Sequence, residues 1–520
     1  MASSELDADA RVARLLQRTG FGTAAATDVT AAARAGYAKT LAAALAEGDD
    51  PGAGATPAPA LGPLPERPKK PGEPEKGSRS EKDPKPEEGS KSQKERGSSE
   101  KAGQRGAAGD VRNGVRHDVR NAAAQDASRT GADGGGEDGE AADEDARKAY
   151  RSALRGQRED AVLWWLDRMV AAERPWREKR TLLWHGHWAT SIGKVRSGQA
   201  MLAQNETLRR LGGGDFRTLA RAMVRDPALL IWLDAPKNTA EAPNENLARE
   251  LMELFVLGVG NYSEDDVREA AKALTGWTVD RRAEQGPRAR FRARRHAGGS
   301  RTVLGHSGDL DARALVDLLT EEADCARHLA TRWWGWLVSA ENAPSRTSLD
   351  RLTEAFGARR DITAMLRALF TDPAFTDPDN VLVKQPVEYV VGTLRLLGLR
   401  PRRLPEQGGR VLLRSLGGLG QTPFAPPSVG GWPSGPAWLT TAAAQSRLTF
   451  AQYMTRAARD TEAMAAIRKE TAGERPEALA RLLGVREWSK STRAVLVDAS
   501  ADPARSLAIA LTSPEYSVLA

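Results

Sequence analysis

The sequence predicts a mainly α-helical protein, with one large multi-helix domain, one small β-hairpin and a long disordered insertion. After residue 150, apolar residues recur at helical spacing in most of the chain. Only one stretch alternates in the way a strand does. Residues 51–149 contain no Phe, Trp or Tyr. Such a segment cannot offset the entropy that ordering its backbone costs, so it is expected to be disordered.

Three segments follow from this composition. Residues 1–50 are predicted to form short helices that pack on the main domain, with an interruption near Gly36. Residues 51–146 form a linker rich in Pro, Gly and charged residues, and its end, 131–145, holds seven acids and no base. Charge blocks of this kind are typical of solvated, disordered chain. Residues 147–520 form the helical main domain, with a candidate sub-boundary at 280–310.

Within the main domain, local signals place the elements in order. Helical patterns recur at residues 161–172, 179–187, 215–225, 246–257, 264–274, 311–319, 323–337, 348–356, 362–370, 386–397, 437–457 and 503–511. Ser263 and Asp266 have the spacing of a capping box, and Asp361 precedes a helix as a cap. Residues 288–294 alternate Arg with Ala or Phe, and 301–304 are predicted as the return strand of a hairpin.

Charge, cysteine and motif content exclude several classes. The chain has 76 basic and 69 acidic residues and a net charge of +7, a weak excess that makes nucleic acid an unlikely partner. Cys325 is the only cysteine, which excludes intrachain disulfides and thiolate zinc clusters. No CxxCH or nucleotide-binding motif is present, so haem and nucleotides are not expected, whereas a divalent metal is a candidate cofactor. The acidic N-terminus and the lack of a long apolar run predict a cytoplasmic protein without a membrane span.

His185 and His187, which are flanked by tryptophans, are the candidate metal ligands. Their rings converge if the backbone is extended, but point about 200° apart if both lie inside a helix. Histidine is the commonest transition-metal ligand, and carboxylates would complete the set. The alternative is that both rings make structural hydrogen bonds at a helix end.

Glu250 and Glu253 are the candidate catalytic carboxylates. With Asn246 they are spaced four and three residues apart, so they line one stripe of a predicted helix among leucines. Burial would raise their pKa values and suit one of them to general acid or base catalysis, or to binding a hard metal. The alternative is a structural ion-pair network with Arg249.

Four arginines at alternating positions are the candidate anion-binding residues: Arg288, Arg290, Arg292 and Arg294. On a strand they would share one face and attract phosphate, sulfate or an acidic partner. The alternative is a solvated face without a specific ligand. Trp432 and Trp438, in a loop rich in Gly and Pro, are candidates for stacking on sugar or base rings. The alternative there is a loop that covers the end of the helical core.

Seven stretches carry a resemblance to a known family: residues 14–22 (RLLQRTGFG), 183–191 (LWHGHWATS), 244–262 (NENLARELMELFVLGVGNY), 273–277 (ALTGW), 302–305 (TVLG), 383–388 (VKQPVE) and 420–432 (GQTPFAPPSVGGW). Together they resemble the bacterial family catalogued as domain of unknown function 1800 (DUF 1800). The matches lie on both sides of the linker, which is therefore expected to be an insertion. The family usually has Asp after the hairpin histidine, whereas this chain has Ala297, so any role of that acid is in doubt here.

The resemblance implies a large helical protein without an assigned biochemical role. Family members are often encoded beside a second family, catalogued as 1501, that resembles the alkaline phosphatase and sulfatase superfamily. The leading hypothesis is therefore a helical partner or scaffold protein that acts with another protein, with that neighbour as the candidate partner. The alternative is a metal-assisted or carboxylate-based hydrolase, which requires the two histidines and the two glutamates to converge. Binding of nucleic acid through the arginines is the third hypothesis.

Overall fold

The computed structural model describes residues 6–22, 26–65, 136–283 and 286–519, except the side chains of 26–27 and 136–142. These residues are mainly helical, as predicted, and form three small two-stranded antiparallel sheets. The chain divides into two units, Met1–Pro65 with Tyr150–Ala520, and Glu66–Ala149. The predicted disorder of the linker falls mostly on residues 66–135, which lie outside the described residues.

The N-terminal helices are α1 (Ala8–Thr19), α2 (Ala26–Ala35), α3 (Tyr37–Ala44) and α4 (Pro51–Gly54). Helix α3 begins after Gly36, whose φ of 88° breaks the helical run at the predicted place. Residues 55–65 follow α4 as irregular chain, and the carbonyl oxygen of Gly62 accepts a hydrogen bond from Gln157 Nε2 at 2.6 Å. Because such bonds tie this chain down, the packed N-terminal segment extends to residue 65 rather than ending at 50.

Helix α5 (Gly136–Ala171) begins in the second unit. In this first part of α5, acidic and basic side chains pair one turn apart. Arg147 Nη2 lies 2.5 Å from Asp143 Oδ2, and Lys148 Nζ lies 3.7 Å from Glu144 Oε1. The acidic end of the predicted linker therefore lies at the start of a helix. Negative charge is stabilised there by the helix dipole, which the composition argument did not consider.

Eleven helices follow α5 and lead to the middle of the main domain: α6 (Trp176–His187), α7 (Ile192–Val195), α8 (Gly198–Leu211), α9 (Phe216–Met223), α10 (Pro227–Trp232), α11 (Asn246–Glu250), α12 (Glu264–Ala273), α13 (Ala312–Glu321), α14 (Ala323–Leu337), α15 (Arg346–Phe356) and α16 (Ile362–Phe370). The predicted capping box of Ser263 and Asp266 opens α12, and Asp361 caps α16 by accepting the N–H of Ala364.

The remaining described helices are α17 (Pro386–Leu396), α18 (Glu406–Leu419), α19 (Thr441–Ala457), α20 (Glu462–Lys469), α21 (Arg475–Leu483), α22 (Lys490–Asp498), α23 (Pro503–Thr512) and α24 (Pro514–Ser517). Two hydrophobic cores hold the helices together. The first core is built mainly by α9 and α11–α16, and the second by α5 and α17–α23. Helix α6 lies between them, since Leu183 and Trp184 belong to the first core and Leu182 to the second.

The strands are β1 (Trp277–Asp280), β2 (Arg288–Phe291), β3 (Arg301–Val303), β4 (His306–Gly308), β5 (Leu382–Val383) and β6 (Val518–Leu519). Strand β2 pairs with β1, with Trp277 opposite Phe291, and β3 pairs with β4. The predicted pairing of 288–294 with 301–304 is therefore wrong, because each segment finds a nearer antiparallel partner. No helix among the described residues combines the length and the apolar character needed to cross a membrane.

Candidate functional site

The two Trp-flanked histidines lie at the C-terminal end of α6, and both are buried. The helix continues through His187, so the extended backbone that convergence required is absent. The His185 ring lies 5.7 Å from the ring of Trp165 and 5.5 Å from that of Phe424, in the second core. The His187 ring lies 6.0 Å from the ring of Phe255, in the first core. The two rings thus diverge, as a helix requires of residues two apart.

His185 is held as a neutral acceptor. Its Nε2 accepts a hydrogen bond from the backbone N–H of Phe424 at 3.0 Å. Burial lowers the pKa of His185 from 6.5 to about 3. At neutral pH the ring therefore carries its proton on Nδ1 and uses the Nε2 lone pair structurally. A metal ion at Nε2 would have to displace this hydrogen bond.

His187 contacts the end of the π-helical segment Leu251–Val256, which continues α11. Its Nε2 lies 2.9 Å from the carbonyl oxygen of Phe255, and Nε2 of His328 lies 2.9 Å from that of Leu254. Since carbonyl oxygens only accept, both imidazoles donate from Nε2. Burial lowers the pKa of His187 well below 6.5, assisted by the nearby charge of Arg332. The two rings are neutral donors that satisfy carbonyl groups at the helix end.

The two candidate carboxylates lie on the outer side of the same segment and are partly buried. Tyr262 donates its hydroxyl to Glu253 Oε2 at 2.7 Å. Burial, and then the charge of Glu253, raises the pKa of Glu250. Arg249 pairs with Glu245 and Glu264 rather than with Glu253. An ion-pair network therefore exists at this helix, but neither candidate carboxylate belongs to it.

The structure brings the two glutamates together but keeps them apart from the histidine rings. The ring and hydrogen-bond contacts of His185 and His187 with described residues are aromatic groups, His328 and backbone atoms. Within the described ranges, no group of three or more His, Cys, Asp or Glu side chains is arranged to hold a metal ion. The His/Glu centre of the hydrolase hypothesis remains a prediction without such a group behind it.

The arginine-rich stretch forms only part of a strand. Arg288 and Arg290 lie in β2, and Arg290 pairs with Asp280 of β1 at 3.0 Å. Arg292 and Arg294 follow β2, where Ala293–Arg295 form a 3₁₀ turn, and both are exposed. The four guanidinium groups therefore do not form one regular strand face. Next to them the ring of Phe291 is 47% exposed.

The Gly/Pro loop packs on the end of α6. The Trp432 ring lies 5.3 Å from the ring of His185, with its edge toward it. Gly431 has φ = 85°, and a Cβ there would collide with the carbonyl oxygen of Gly186. Trp438 is 2% exposed, so its faces are covered in this structure. The loop closes over the buried histidine, as the alternative interpretation of this loop describes.

The turn around Ala297 is ordered by Thr275. The backbone N–H of Ala297 donates to Thr275 Oγ1 at 2.8 Å, and Nδ1 of His296 lies 3.1 Å from the same oxygen. The position where the family usually has Asp is thus joined to the end of α12 through the backbone. Its geometry in this chain does not depend on a carboxylate.

Sequence reasoning missed a buried charge network around Glu178 of α6. Its carboxylate accepts hydrogen bonds from Trp165 Nε1 at 2.9 Å, Arg168 Nε at 2.7 Å and Arg209 Nε at 2.8 Å. Burial alone would raise the pKa of Glu178, but the charges and hydrogen bonds of Arg209 and Arg168 outweigh it and lower the pKa. Little in the sequence signals this network, because Glu178 lies between Arg177 and Lys179 and looks like an ordinary charged position at the start of α6.

Of three comparisons with known proteins, one finds a match. A family model described as "Protein of unknown function (DUF1800)" matches residues 14–518, nearly the whole chain. No curated protein and no solved structure matches the chain.

Proposed function

Because this chain belongs to the DUF1800 family, for which no activity is described, we propose that it is a helical partner protein that binds an acidic surface of another protein. The candidate partner is the phosphatase/sulfatase-superfamily-like protein of the family often encoded beside this one. The proposal rests on one surface, formed by Phe291, Arg292 and Arg294, which we call the Arg/Phe surface.

The Arg/Phe surface combines two features that are typical of binding sites. Arg292 and Arg294 are exposed and make no ion pair with an acid of the described residues. Phe291, which directly precedes Arg292, leaves 47% of its surface exposed. Aromatic and Arg side chains are enriched at the centres of protein interfaces and dominate their binding energy.

Its chemistry favours a carboxylate-bearing partner. A guanidinium group binds a carboxylate through two parallel hydrogen bonds, and a desolvated charged hydrogen bond contributes about 1.5–3 kcal/mol. The side chain of the neighbouring Arg290 is 53% exposed and already pairs with Asp280. The surface therefore offers two unpaired cations beside an apolar ring, enough to bind an acidic segment that carries an apolar side chain.

The test is binding of a fluorescein-labelled peptide rich in Glu and Leu, followed by fluorescence anisotropy with the full chain. Charge reversal by Arg292→Glu and Arg294→Glu together is expected to weaken binding by tenfold or more, about 1.4 kcal/mol or more. The matched control reverses Arg346 and Arg359, whose side chains are 96% and 88% exposed. It changes the net charge equally and should retain most of the binding.

The same variants test the natural complex. Tagged protein isolated at low salt should retain one stoichiometric partner, which the Arg/Phe variant loses and the control keeps. Recovery of no partner, or equal loss with both variants, would contradict the proposal. A nucleic acid of equal charge that binds more tightly than the peptide would favour the third hypothesis instead.

One observation favours carboxylate-based hydrolysis as a second candidate function. Glu253 is close enough for its charge to add to burial in raising the pKa of Glu250, and a carboxyl group with a raised pKa suits general acid catalysis. The pair lies at a π-helical segment, and such segments are frequent at functional sites.

This second candidate is tested with chromogenic esters, phosphates and glycosides, with and without divalent metal ions. If it is right, Glu250→Gln lowers turnover by about 10²-fold or more. Glu245→Gln is the matched control, because Glu245 pairs with Arg249 on the same helix and is expected to be neutral. Turnover that survives in Glu250→Gln would exclude Glu250 from the chemistry.

A further inference from the structure

Four basic side chains are buried together where α1, α6 and the start of α17 meet. Arg14, Arg18 and Lys179 are each 1% exposed and Lys384 is 2% exposed. We call these four residues the buried cationic cluster. They come from three distant parts of the chain, and two of them belong to a segment that precedes the insertion.

Several contacts bring these parts together. Arg14 Nη1 donates to the carbonyl oxygen of Phe375 at 2.7 Å, and Arg18 Nη2 donates to that of Leu519 at 3.1 Å. The Lys384 stem passes over Gly22, where a Cβ would lie 3.0 Å from Lys384 Cε. With φ = 71°, Gly22 is in a conformation that favours glycine.

Negative charge in this region does not balance the cluster. Glu388 forms a buried ion pair with Lys179, and its other oxygen accepts the N–H of Gln385 at 2.9 Å. Asp377 is partly buried, and its charge raises the pKa of Arg14 against the effect of burial. Among the described residues, four basic side chains therefore face two carboxylates in a region of low dielectric constant.

Several donors of the cluster also lack partners. Nε and Nη2 of Arg14, and Nε and Nη1 of Arg18, are buried without a hydrogen-bond acceptor among the described residues. Buried polar atoms are paired in the great majority of cases. Four unpaired guanidinium nitrogens on two neighbouring side chains, one helical turn apart, indicate that an acceptor group is missing.

The titration behaviour of the cluster agrees with excess positive charge. Burial lowers the pKa of Lys384 well below its ordinary value, although Glu388 opposes this. Burial, followed by the charge of Arg14, lowers the pKa of Arg18 to about 9. The Lys384 ammonium lies 3.3 Å from the centre of the Tyr516 ring, so it faces an aromatic ring.

We propose that the buried cationic cluster is a binding site for a tetrahedral oxyanion, a phosphate or sulfate group. Such a dianion would balance the excess of basic side chains and offer several oxygen acceptors to the unpaired guanidinium nitrogens. The bound anion would join the N-terminal helix to the main domain across the insertion.

The competing explanation is that the cluster balances itself by deprotonating a lysine. The two accounts differ in what Lys384→Met does. If Lys384 is deprotonated and no anion binds, Lys384→Met removes no charge, and it changes the melting temperature by the same amount in phosphate and in chloride. With an anion, the same substitution removes part of the binding site and abolishes the response to phosphate.

The first measurement is ion chromatography of full-length protein that has been dialysed and then denatured. About one equivalent of phosphate or sulfate per chain is expected. The second is the melting temperature during titration with sodium phosphate, sodium sulfate or phenyl phosphate, with chloride keeping the ionic strength constant. A ligand that binds only the folded chain raises the melting temperature with its concentration.

Two variants and a control complete the test. Lys384→Met and Arg14→Lys should each weaken the apparent phosphate affinity at least tenfold. Arg14→Lys keeps the charge, so it serves if Lys384→Met fails to fold. The control, Arg301→Lys, alters a buried arginine outside the cluster that donates to the carbonyl groups of Leu310 and Ala297. It should lower stability but keep the phosphate response.

The outcomes separate clearly. A shift in melting temperature with phenyl phosphate but not with the inorganic ions would assign the site to a phosphorylated organic molecule. A shift with all three ligands would assign it to the free ion. Both results support an oxyanion site. Absence of bound anion together with no shift in melting temperature would overturn the proposal. So would a phosphate response that Lys384→Met and Arg14→Lys leave unchanged.

Discussion

Replacing Glu178 by Gln tests the energetic reasoning most sharply. The Glu178 carboxylate is buried and accepts hydrogen bonds from Trp165, Arg168 and Arg209. Glutamine keeps the shape but removes the charge and turns an N–H₂ group toward these donors. Arg209, which is itself 1% exposed, then loses its buried counter-ion.

The expected cost follows from that burial. Removing one partner of a buried ion pair typically destabilises a protein by about 3–5 kcal/mol, and Arg209 would keep only an exposed counter-ion, Glu206. Glu206 provides a matched control. It pairs with the same arginine, at 2.7 Å from Arg209 Nη1, but its side chain is 61% exposed. Glu206→Gln should therefore cost no more than about 1 kcal/mol.

Urea unfolding followed by circular dichroism measures both variants. With an m-value of about 3 kcal/mol per M, Glu178→Gln should lower the midpoint by about 1 M or more. Equal effects of Glu178→Gln and Glu206→Gln would refute the reasoning. So would a loss below about 1 kcal/mol for Glu178→Gln.

The pH dependence of stability in wild type and Glu178→Gln gives a second test. The folded state holds the pKa of Glu178 below its ordinary value of 4.5. The stabilisation is therefore fully present above pH 4.5 and is lost as the pH falls through the folded-state pKa. The stability gap between wild type and Glu178→Gln should narrow below pH 4.5 and stay constant above it.

Two further predictions follow from the end of α6. Gly431→Ala should destabilise the protein by about 1–3 kcal/mol, because the added Cβ meets the carbonyl oxygen of Gly186. The control Gly430→Ala should be nearly neutral, because its Cβ meets only ordinary contacts. Thermal melts in which Gly430→Ala costs as much as Gly431→Ala would contradict the packing described for this loop. Burial lowers the pKa of His185 from 6.5 to about 3, so the unfolding free energy of wild type should fall as the pH falls from 6.5 toward 3. His185→Leu should reduce the slope of unfolding free energy against pH by about 1 kcal/mol per pH unit. An unchanged slope in denaturant titrations would contradict the neutral, buried imidazole.

Most of the fold was predictable from local signals. Helical spacing, the capping box at Ser263 and the cap at Asp361 identify elements whose causes lie within a few residues. The partner of β2 was not predictable in this way. Strand pairing depends on tertiary packing, and the four short strands β1–β4 in one region allow several pairings.

The candidate sites show the same division. Alternation of Arg with Ala or Phe pointed correctly to a strand at 288–291, but the strand ends there and does not reach residue 294. The π-helical turn that gives His187 and His328 their carbonyl partners has no sequence signature of its own. The buried cationic cluster joins residues more than 160 positions apart, such as Arg14 and Lys179, so no spacing rule could have found it.

The central claim is that the Arg/Phe surface binds an acidic partner, and hydrogen exchange measured in the complex tests it directly. With the natural partner or the acidic peptide bound, backbone amides of residues 288–294 should be protected, and those of α22 (Lys490–Asp498), which carries the exposed Val495 and Val497, should not change. Protection at α22 with none at 288–294, in a complex shown to be stoichiometric, would contradict the account.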